Sequence, residues 1–298
     1  MQDILNTLKK EVGSNLKVVE PVAKFTAINV GGPADFFYEA RSKEDIIRSV
    51  DAARKIRIPF IVIGAGSSVL FSDSGFHGLV IRNVFDGIKE FPAESPASII
   101  IEVGSGISLA KLVRFCAEKN YSGLEKVAGM AGTVGGALVV NTANLSDNVD
   151  FLEIVDVIGK TKQVPRNECG FKKGTSRFNG REEIILTARF LLLKSDQDQI
   201  TRKLNKAIEE GMTVPKEPHV LRLFADDEGQ PPERLIEALG LIDAQVGGAV
   251  LVTENPNYLR NTGSATSENV LELAKIIKGK IKEKYYSELK EDFVYVGS

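Results

Sequence analysis

The spacing of apolar residues along the chain predicts a series of helices. Apolar side chains fall on one face of a helix over Asp3–Val12. Ser42 and Asp45 have the spacing of a capping box, with aspartate in the glutamate position, and predict a helix that continues to Ile56. The same periodicity predicts further helices over residues 108–118, 133–141, 197–210, 232–239 and 268–284.

Shorter apolar runs between these helices predict strands. One strand begins after Pro59 and leads into a glycine-rich loop. The other predicted strands cover residues 35–40, 79–82, 97–103, 152–158, 184–193, 249–253 and 293–296. Because helices and strands are mixed and the chain changes character near Ser195, we predict an α+β fold with an N-terminal cofactor region and a smaller C-terminal region.

Two glycine-rich loops are the candidate ligand-binding segments. Glycines let the backbone approach a ligand closely, and successive N–H groups form a cradle for anionic oxygens. The first loop, Gly64–Ser68, lacks the third glycine and the following helix of the Rossmann fingerprint, and alone it is equally consistent with a tight turn. The second loop, Gly129–Ala137, favours a bound dinucleotide, because a helix starting near Thr133 would direct its N-terminus at an anion.

Composition and charge limit the classes of molecule that we expect this chain to bind. The chain has 298 residues, of which 43% are hydrophobic, enough for about two domains with a sizeable core. Its 38 Lys and Arg residues against 40 Asp and Glu residues give a net charge of -2, which gives no reason to expect nucleic acid or a membrane surface. We find no apolar segment typical of a signal peptide or a membrane span, and we expect a cytoplasmic monomer that acts on a small molecule.

Cysteines and histidines do not predict a metal site or a redox dithiol. Cys116 and Cys169 lie far apart, and Cys116 falls on an amphipathic helix where we expect it to be core. His77 falls in a predicted turn and His219 lies beside a proline, neither of them near a second ligand or a nucleophile. Any chemistry must therefore come from a cofactor.

Ordered motifs over essentially the whole chain resemble the UDP-N-acetylenolpyruvoylglucosamine reductase family. Their order and spacing both fit that family. The motifs are Val30–Asp35, Gly64–Leu70, Asp73–Gly78, Gly123–Glu125, Ala128–Ala137, Asn141, Leu235–Leu241, Gly247–Ala249, Asn261–Thr266 and Val296–Gly297.

The resemblance implies a two-subdomain FAD-binding fold of the vanillyl-alcohol-oxidase (PCMH) type and a C-terminal α/β substrate-binding domain. It implies subdomains over residues 1–84 and 85–196 and a substrate domain over 197–287, with 288–298 returning to the first subdomain. In this family of UDP-N-acetylmuramate dehydrogenases, NADPH delivers hydride to the flavin, and the flavin reduces the enolpyruvyl double bond of a UDP-sugar in peptidoglycan precursor synthesis. A protein acid then protonates the neighbouring carbon.

The resemblance also assigns FAD to both glycine loops. Ser68 and Ala131 stand where the family usually has Asn and Pro, and both changes keep the backbone donors. The cofactor-binding residues implied are Ile63, Gly64, Ala65, Gly66, Ser67, Ser68, Gly129, Thr133, Gly135, Gly136 and Asn141.

The positions that carry the family's chemistry are changed in this chain. Arg222 stands at the position of the proton-donating serine, and a guanidinium remains protonated in proteins, so it cannot serve as the acid. Gly174 stands where the family has an arginine, and glycine offers no side-chain donor to a developing enolate. The family's C-terminal glutamate aligns with Asp292, or with Glu291 after a shift of one residue.

Several roles are consistent with the charged and hydroxyl residues near these positions. An alternative interpretation places Arg222 in a surface ion cluster with Asp226 and Asp227. For Lys173 the alternative is that it lies in a solvated loop. The candidate substrate-binding residues are Lys173, Arg222, Asn257 and Tyr258. The candidate replacements for the lost acid are Thr175, Ser176, His219 and Tyr258, with Ser176 the first to test.

Two hypotheses follow from this pattern. In the first, the chain is a flavin-binding relative in which the family reaction is weak or lost. In the second, it is an active flavin oxidoreductase on the UDP-sugar or a related substrate, with a rearranged proton donor. Departures confined to the reactive positions favour the first.

Overall fold

The computed structural model describes residues 2–180, 182–210, 215, 217–225 and 231–297. The helices are α1 (Gln2–Val12), α2 (Lys43–Ile56), α3 (Leu109–Glu118), α4 (Val134–Val139), α5 (Gln197–Glu210), α6 (Pro232–Ala238) and α7 (Ser267–Tyr285). The strands are β1 (Lys17–Pro21), β2 (Pro33–Ala40), β3 (Phe60–Ile63), β4 (Val69–Phe71), β5 (Phe76–Asn83), β6 (Ile88–Pro92), β7 (Ser98–Gly104), β8 (Tyr121–Ser122), β9 (Val149–Val155), β10 (Thr161–Pro165), β11 (Ile184–Lys194), β12 (Val220–Arg222), β13 (Gln245–Val246), β14 (Ala249–Val252), β15 (Asn255–Asn261) and β16 (Val294–Val296). Strands β1, β2, β5 and β3 form one sheet in that order.

The chain divides into two compact units. Unit 1 comprises residues 1–16, 38–65 and 80–214, and unit 2 comprises residues 17–37, 66–79 and 215–298. Each unit is therefore assembled from segments that are distant in sequence. None of the helices within the described residues is long and apolar enough to cross a membrane.

Unit 1 is built around a sheet with the strand order β10-β9-β11-β7-β6, in which β8 also pairs with β11. Strand β11 runs antiparallel to β7 from Thr187 opposite Gly104 to Leu193 opposite Ser98. Alternate residues of these strands, including Phe190 at 0% exposure, enter a core shared with α3 and α4. The sheet positions the second glycine loop, because α4 follows that loop and packs on this core.

Unit 2 contains the antiparallel sheet β12-β15-β14-β13 and the helices α6 and α7. Its core joins apolar residues of that sheet to the inner faces of the two helices. The short strand β16 near the C-terminus runs parallel to β4, with Val294 opposite Val69 and Val296 opposite Phe71. Asp73 caps α7, because its Oδ2 accepts hydrogen bonds from the N–H and the hydroxyl of Ser267 at 2.6 and 2.7 Å.

The helix predictions are confirmed more closely than the strand predictions. Helix α2 begins with the predicted capping box, in which Ser42 and Asp45 bond each other's backbone N–H groups. The strand predicted over residues 152–158 is wrong at both ends. It spans Val149–Val155 and stops because Asp156 accepts hydrogen bonds from the N–H groups of the turn that follows. His77 lies in β5 and not in a turn.

Candidate functional site

The two glycine loops meet within unit 1 at Gly64 and Thr133. A Cβ built on Gly64 would lie 2.2 Å from the Oγ1 of Thr133 and 2.9 Å from its Cγ2. Thr133 is buried and forms the N-cap of α4, with its Oγ1 accepting a hydrogen bond from the N–H of Gly136 at 3.4 Å. Glycine at position 64 is therefore required for the two loops to touch.

The N-terminus of α4 does not present open donors to an anion. Our expectation that the helix starting near Thr133 directs its N-terminus at an anion is therefore wrong. The N–H of Val134 donates to the carbonyl of Ile107 at 2.9 Å, and the N–H of Gly135 donates to the carbonyl of Ser105 at 2.8 Å. The third donor, from Gly136, is the one that Thr133 caps. These groups hold α4 against its own unit and are not what binds a ligand.

The loops that precede α4 and follow β3 have open backbone donors instead. Among the described residues, the N–H groups of Ala65, Ser67 and Ser68 make no loop or turn hydrogen bond to a backbone carbonyl. Ala65 and Ser68 are also exposed. The same is true of the N–H groups of Gly129 and Ala131, which are also exposed. Exposed and uncommitted N–H groups fit the oxygens of a pyrophosphate.

The glycines of the loops serve different purposes. A Cβ on Gly66 would lie 2.1 Å from the carbonyl oxygen of Phe25, and the residue has a φ of +68°, so Gly66 is required by packing within unit 2. Gly135 likewise packs against Ser105, with its built Cβ 3.0 Å from the Cβ of that serine. A Cβ on exposed Gly136, in contrast, comes no nearer than 3.6 Å to the Oγ1 of Thr133, and Gly129 has nothing within 4 Å. Gly129 therefore faces open space, and a side chain at Gly136 would meet only an ordinary contact.

The segment with the predicted substrate lysine is a tight hairpin. Lys172 and Thr175 donate their N–H groups to each other's carbonyls at 3.0 and 3.2 Å, leaving exposed Lys173 and Gly174 at the tip. Gly174 has a φ of +73°. A residue with a side chain would be strained there, so the turn itself requires glycine where the family has arginine.

Asn141 and Ser176 attach this hairpin to the end of α4. The side-chain Nδ2 of Asn141 donates to the carbonyl of Lys172 at 3.1 Å, and its Oδ1 accepts from the N–H of Ser146 at the same distance. The hydroxyl of Ser176, buried with 7% of its surface exposed, donates to the carbonyl of Val139 at 2.7 Å. Both side chains are engaged in bonds within unit 1, and the proton of Ser176 is directed at that carbonyl.

In unit 2, the residues aligned with the family's serine and glutamate form an ion pair. Arg222 Nη1 lies 3.0 Å from Asp292 Oδ2, and the two side chains are 15% and 27% exposed. The backbone sets this contact, because the N–H of Asp292 donates to the carbonyl of Leu223 at 2.9 Å. Asp226 and Asp227, the alternative partners considered for Arg222, lie outside the described residues. Sequence spacing does not predict this pair, whose members are 70 residues apart.

The neighbouring acid, Glu291, is directed elsewhere. Its Oε1 lies 2.6 Å from the Nζ of Lys278 on α7. Burial works against ionisation of Glu291, but the hydrogen bond from Lys278 helps to outweigh it, and the pKa of Glu291 lies below its ordinary value. Of the two acids considered for the C-terminal position, Asp292 is thus the one that contacts Arg222.

The two remaining substrate-binding candidates differ in their surroundings. Asn257 is 1% exposed, and its side chain bonds both the N–H and the carbonyl of Phe224, at 3.0 and 2.9 Å. Asn257 is therefore better assigned to fixing the backbone after β12 than to binding a substrate. Tyr258 lies opposite Arg222 in the pairing of β12 with β15 and is 6% exposed.

Family models and curated relatives match this chain over most of its length. Residues 34–164 match a model described as FAD binding domain, and residues 214–296 match one described as UDP-N-acetylenolpyruvoylglucosamine reductase, C-terminal domain. The reductase of Chlamydia muridarum is 34% identical over 269 residues, covering 88% of each chain. The reductase of Chlamydia trachomatis serovar L2 is 33% identical over 279 residues, covering 91% of this chain and 93% of the relative. The chain belongs to the UDP-N-acetylenolpyruvoylglucosamine reductase family.

A solved member of the reductase family has the same fold. The enzyme from Thermus caldophilus superposes with a TM-score of 0.77 at 25% identity, covering 94% of this chain and 97% of that one. The predicted α+β, FAD-binding fold with a C-terminal reductase-family domain is confirmed. The subdomain boundaries predicted above stay a prediction.

Proposed function

We propose that this chain is a cytoplasmic, FAD-binding member of the reductase family in which reduction of the UDP-sugar is weak or lost. The observation that carries the proposal is the Arg222–Asp292 ion pair at 3.0 Å. A guanidinium with its charge paired to a carboxylate remains protonated, so this position supplies no proton to a substrate carbon. The changes spare the backbone donors of the glycine loops, so cofactor binding and catalysis are expected to separate.

We assign FAD binding to the exposed backbone N–H groups of the two loops. When bound, FAD relays hydride from a reduced nicotinamide such as NADPH to a carbon–carbon double bond. The chain's contribution is to hold the pyrophosphate with backbone donors of unit 1 at Ala65 and Ala131. Gly136 leaves the space that a cofactor beside α4 would need.

A bulky side chain at Gly136 tests this cofactor site. Gly136→Leu fills the space beside α4, and we expect FAD affinity, measured by flavin fluorescence titration, to fall at least tenfold, because a ligand there would lose contact with the loop. The matched control is Gly279→Leu, since Gly279 lies on a helix, α7, and has nothing within 4 Å of its built Cβ. Equal FAD affinity in both variants contradicts the assignment of FAD to this loop. Protein that takes up no FAD at all contradicts FAD binding itself.

The lost reaction is tested by stopped-flow mixing with NADPH and then with the UDP-enolpyruvyl sugar. Where NADPH bleaches the flavin absorbance, we expect no recovery of the oxidised spectrum when the sugar is added under anaerobic conditions, and where NADPH leaves it unchanged, we expect no lactyl product. Rapid recovery with formation of the lactyl product, seen by mass spectrometry, contradicts the proposal. It would favour an active oxidoreductase with a rearranged donor, for which Ser176 would have to release its bond to Val139.

Binding of the UDP-sugar is expected to survive without turnover. Lys173 is exposed at the tip of its hairpin, and we propose that it attracts the phosphates or the carboxylate of the sugar. Arg222 is tested as a separate candidate for such a contact. Isothermal titration calorimetry of the wild type, Lys173→Ala and Arg222→Ala measures this. Absence of heat at millimolar sugar would remove the nucleotide-sugar ligand and leave a flavoprotein with another ligand.

Reversion of the changed positions is expected to be non-additive. Arg222→Ser supplies a hydroxyl but removes the ion pair with Asp292, and Gly174→Arg places a side chain on a backbone with a φ of +73°. We expect neither change alone to produce NADPH consumption with the sugar. The combination of both with Asp292→Glu is the variant that would regain it, and full activity from a single change contradicts this view of the site.

A further inference from the structure

The sheet of unit 1 has an apolar outer face. Along β11, Phe190 and Leu192 point into the core and are 0% and 1% exposed. Leu191 and Leu193, which alternate with them and face the other side, are 48% and 60% exposed. A solvated face of an antiparallel sheet normally has polar residues at such positions.

Neighbouring strands extend this face. The pairing of β6, β7 and β11 places Phe91 opposite Ile100 and Ile100 opposite Leu191, so the three form a row across the sheet. Phe91 is 37% exposed. We call the set of Phe91, Ile100, Phe151, Leu191 and Leu193 the outer apolar face.

Arg189 lies across the outer apolar face. Its guanidinium carbon is 5.7 Å from the ring centroid of Phe91 and 5.0 Å from that of Phe151. Arginine and aromatic residues are both enriched in protein interfaces relative to the rest of the surface, and a guanidinium over a ring is attracted to its face. The arginine is thus already ordered in the position that an interface would need.

A row of charges of both signs borders the outer apolar face. Lys89 is opposite Glu102, and Glu102 is opposite Arg189, in the pairing of β6, β7 and β11. Among the salt bridges of the described residues none involves Lys89 or Glu102, while Arg189 lies 3.4 Å from Asp150. The row reads positive, negative, positive, so Glu102 of one copy meets a cation of a second copy only when the two rows are offset by one strand.

We propose that the outer apolar face packs on the same face of a second copy of this chain, around a twofold axis parallel to the strands and between β7 and β11. Such an axis places Glu102 of each copy opposite Arg189 of the other, and Ile100 opposite Leu191. The two sheets would pack about 10 Å apart with their strands within about 30° of each other. Composition led us to expect a monomer, and this face is the observation that points to a dimer.

The size of the face predicts a weak dimer. Four strands about 4.8 Å apart and segments of five to seven residues give a face of roughly 20 Å by 20 Å. That is below the roughly 800 Å² per partner of a standard interface, so we expect dissociation in the micromolar range. The inference is independent of FAD binding and of catalysis.

Sedimentation velocity over about two orders of magnitude of protein concentration tests the proposal. We expect the wild type to shift from monomer to dimer, and Leu191→Lys to remain a monomer, because a buried unpaired lysine opposes association. The matched control is Ile158→Lys, since Ile158 is 71% exposed in a turn of the same unit, and it should dimerise as the wild type does. A wild type that stays monomeric throughout, or a Leu191→Lys variant that still dimerises, overturns the proposal.

Charge reversal tests the twofold arrangement itself. In Glu102→Arg each copy opposes arginine with arginine, and in Arg189→Glu each opposes glutamate with glutamate, so both variants should be monomers alone. Mixed in equal amounts, they should form a heterodimer, because every arginine then faces a glutamate. Unchanged circular dichroism melting confirms that each variant is folded. If mixing folded variants restores no dimer, the proposed axis is wrong.

Discussion

A double-mutant cycle on Gly64 and Thr133 tests whether the two glycine loops are mechanically joined. Gly64→Ala places a Cβ 2.2 Å from Thr133 Oγ1, 2.9 Å from its Cγ2 and 3.1 Å from its Cβ. Ordinary contacts between such atoms are about 3.5 to 4.0 Å, so at least two of them overlap severely. The substitution is not opposed by the backbone, because Gly64 does not have a positive φ.

The expected magnitudes follow from these contacts. Overpacking in a buried site costs about 1 to 3 kcal/mol, and the smaller chain entropy of alanine in the unfolded state returns about 0.4 to 1 kcal/mol. We therefore expect Gly64→Ala to lose about 1 to 2 kcal/mol. Thr133→Ala removes the N-cap of α4 and should cost about 1 kcal/mol by itself. The double variant keeps only the 3.1 Å contact, so its loss should be smaller than the sum by about 1 to 2 kcal/mol.

Urea denaturation of the flavin-free protein, followed by circular dichroism, measures the four free energies of unfolding. Gly136→Ala is the control, because its built Cβ is 3.6 Å from Thr133 Oγ1 and alanine favours the helix, so it should stabilise α4 by about 0.5 to 1 kcal/mol. If the losses of Gly64→Ala and Thr133→Ala add within about 0.5 kcal/mol, the loops are not coupled through this contact. The contact would then have no part in positioning the cofactor loops.

Three further outcomes are expected from other parts of the structure. Burial raises the pKa of Cys116 to about 12 and that of Cys169 to about 11 from an ordinary 9.0. Both thiols should therefore resist a disulfide reagent at pH 8 until the protein unfolds. Because the unfolded thiols ionise first, the free energy of unfolding should fall as the pH rises from 9.0 to about 12. Ala143 has a φ of +47°, and Ala143→Gly should stabilise the protein by up to about 1 kcal/mol in thermal melting, while a loss would show that the backbone is not strained there. Asp73→Ala leaves the buried donors of Ser267 without their carboxylate and should lower the free energy of unfolding by about 1 to 3 kcal/mol, whereas an unchanged value contradicts this cap.

Helices were predictable from this sequence because each depends on residues close together in the chain. The predicted helix over residues 197–210 coincides with α5, and the capping box of α2 is present as expected. Strands β6, β10 and β15 were among those missed, since they are rich in polar residues and their partners are selected by pairing with distant segments. The α+β class therefore followed from the sequence, while the sheet order did not.

The same distinction applies to the candidate site. Motifs placed the two glycine loops and the changed positions, because a motif is a local pattern. The contact between Arg222 and Asp292 depends on backbone pairing between residues 70 positions apart, and no spacing rule predicts it. Left-handed residues such as Ala143 and Asn144 were also missed, although asparagines at Asn141 and Asn144 are the residues that most often adopt this backbone. An asparagine-rich segment directly after a glycine loop was the available signal.

The sequence alone does not show why each glycine of this site is required. The motif treats Gly64, Gly66 and Gly136 alike, as small residues beside a ligand. The structure separates them, because the absent Cβ of Gly66 would collide with the carbonyl of Phe25 and that of Gly64 with Thr133, whereas that of Gly136 would make only an ordinary contact at 3.6 Å. A substitution at Gly66 would therefore abolish FAD binding by disturbing the fold of its own unit, whatever lies beside the loop. A loss of FAD caused by a larger side chain is informative about the cofactor only at a glycine that the protein does not need for its own packing.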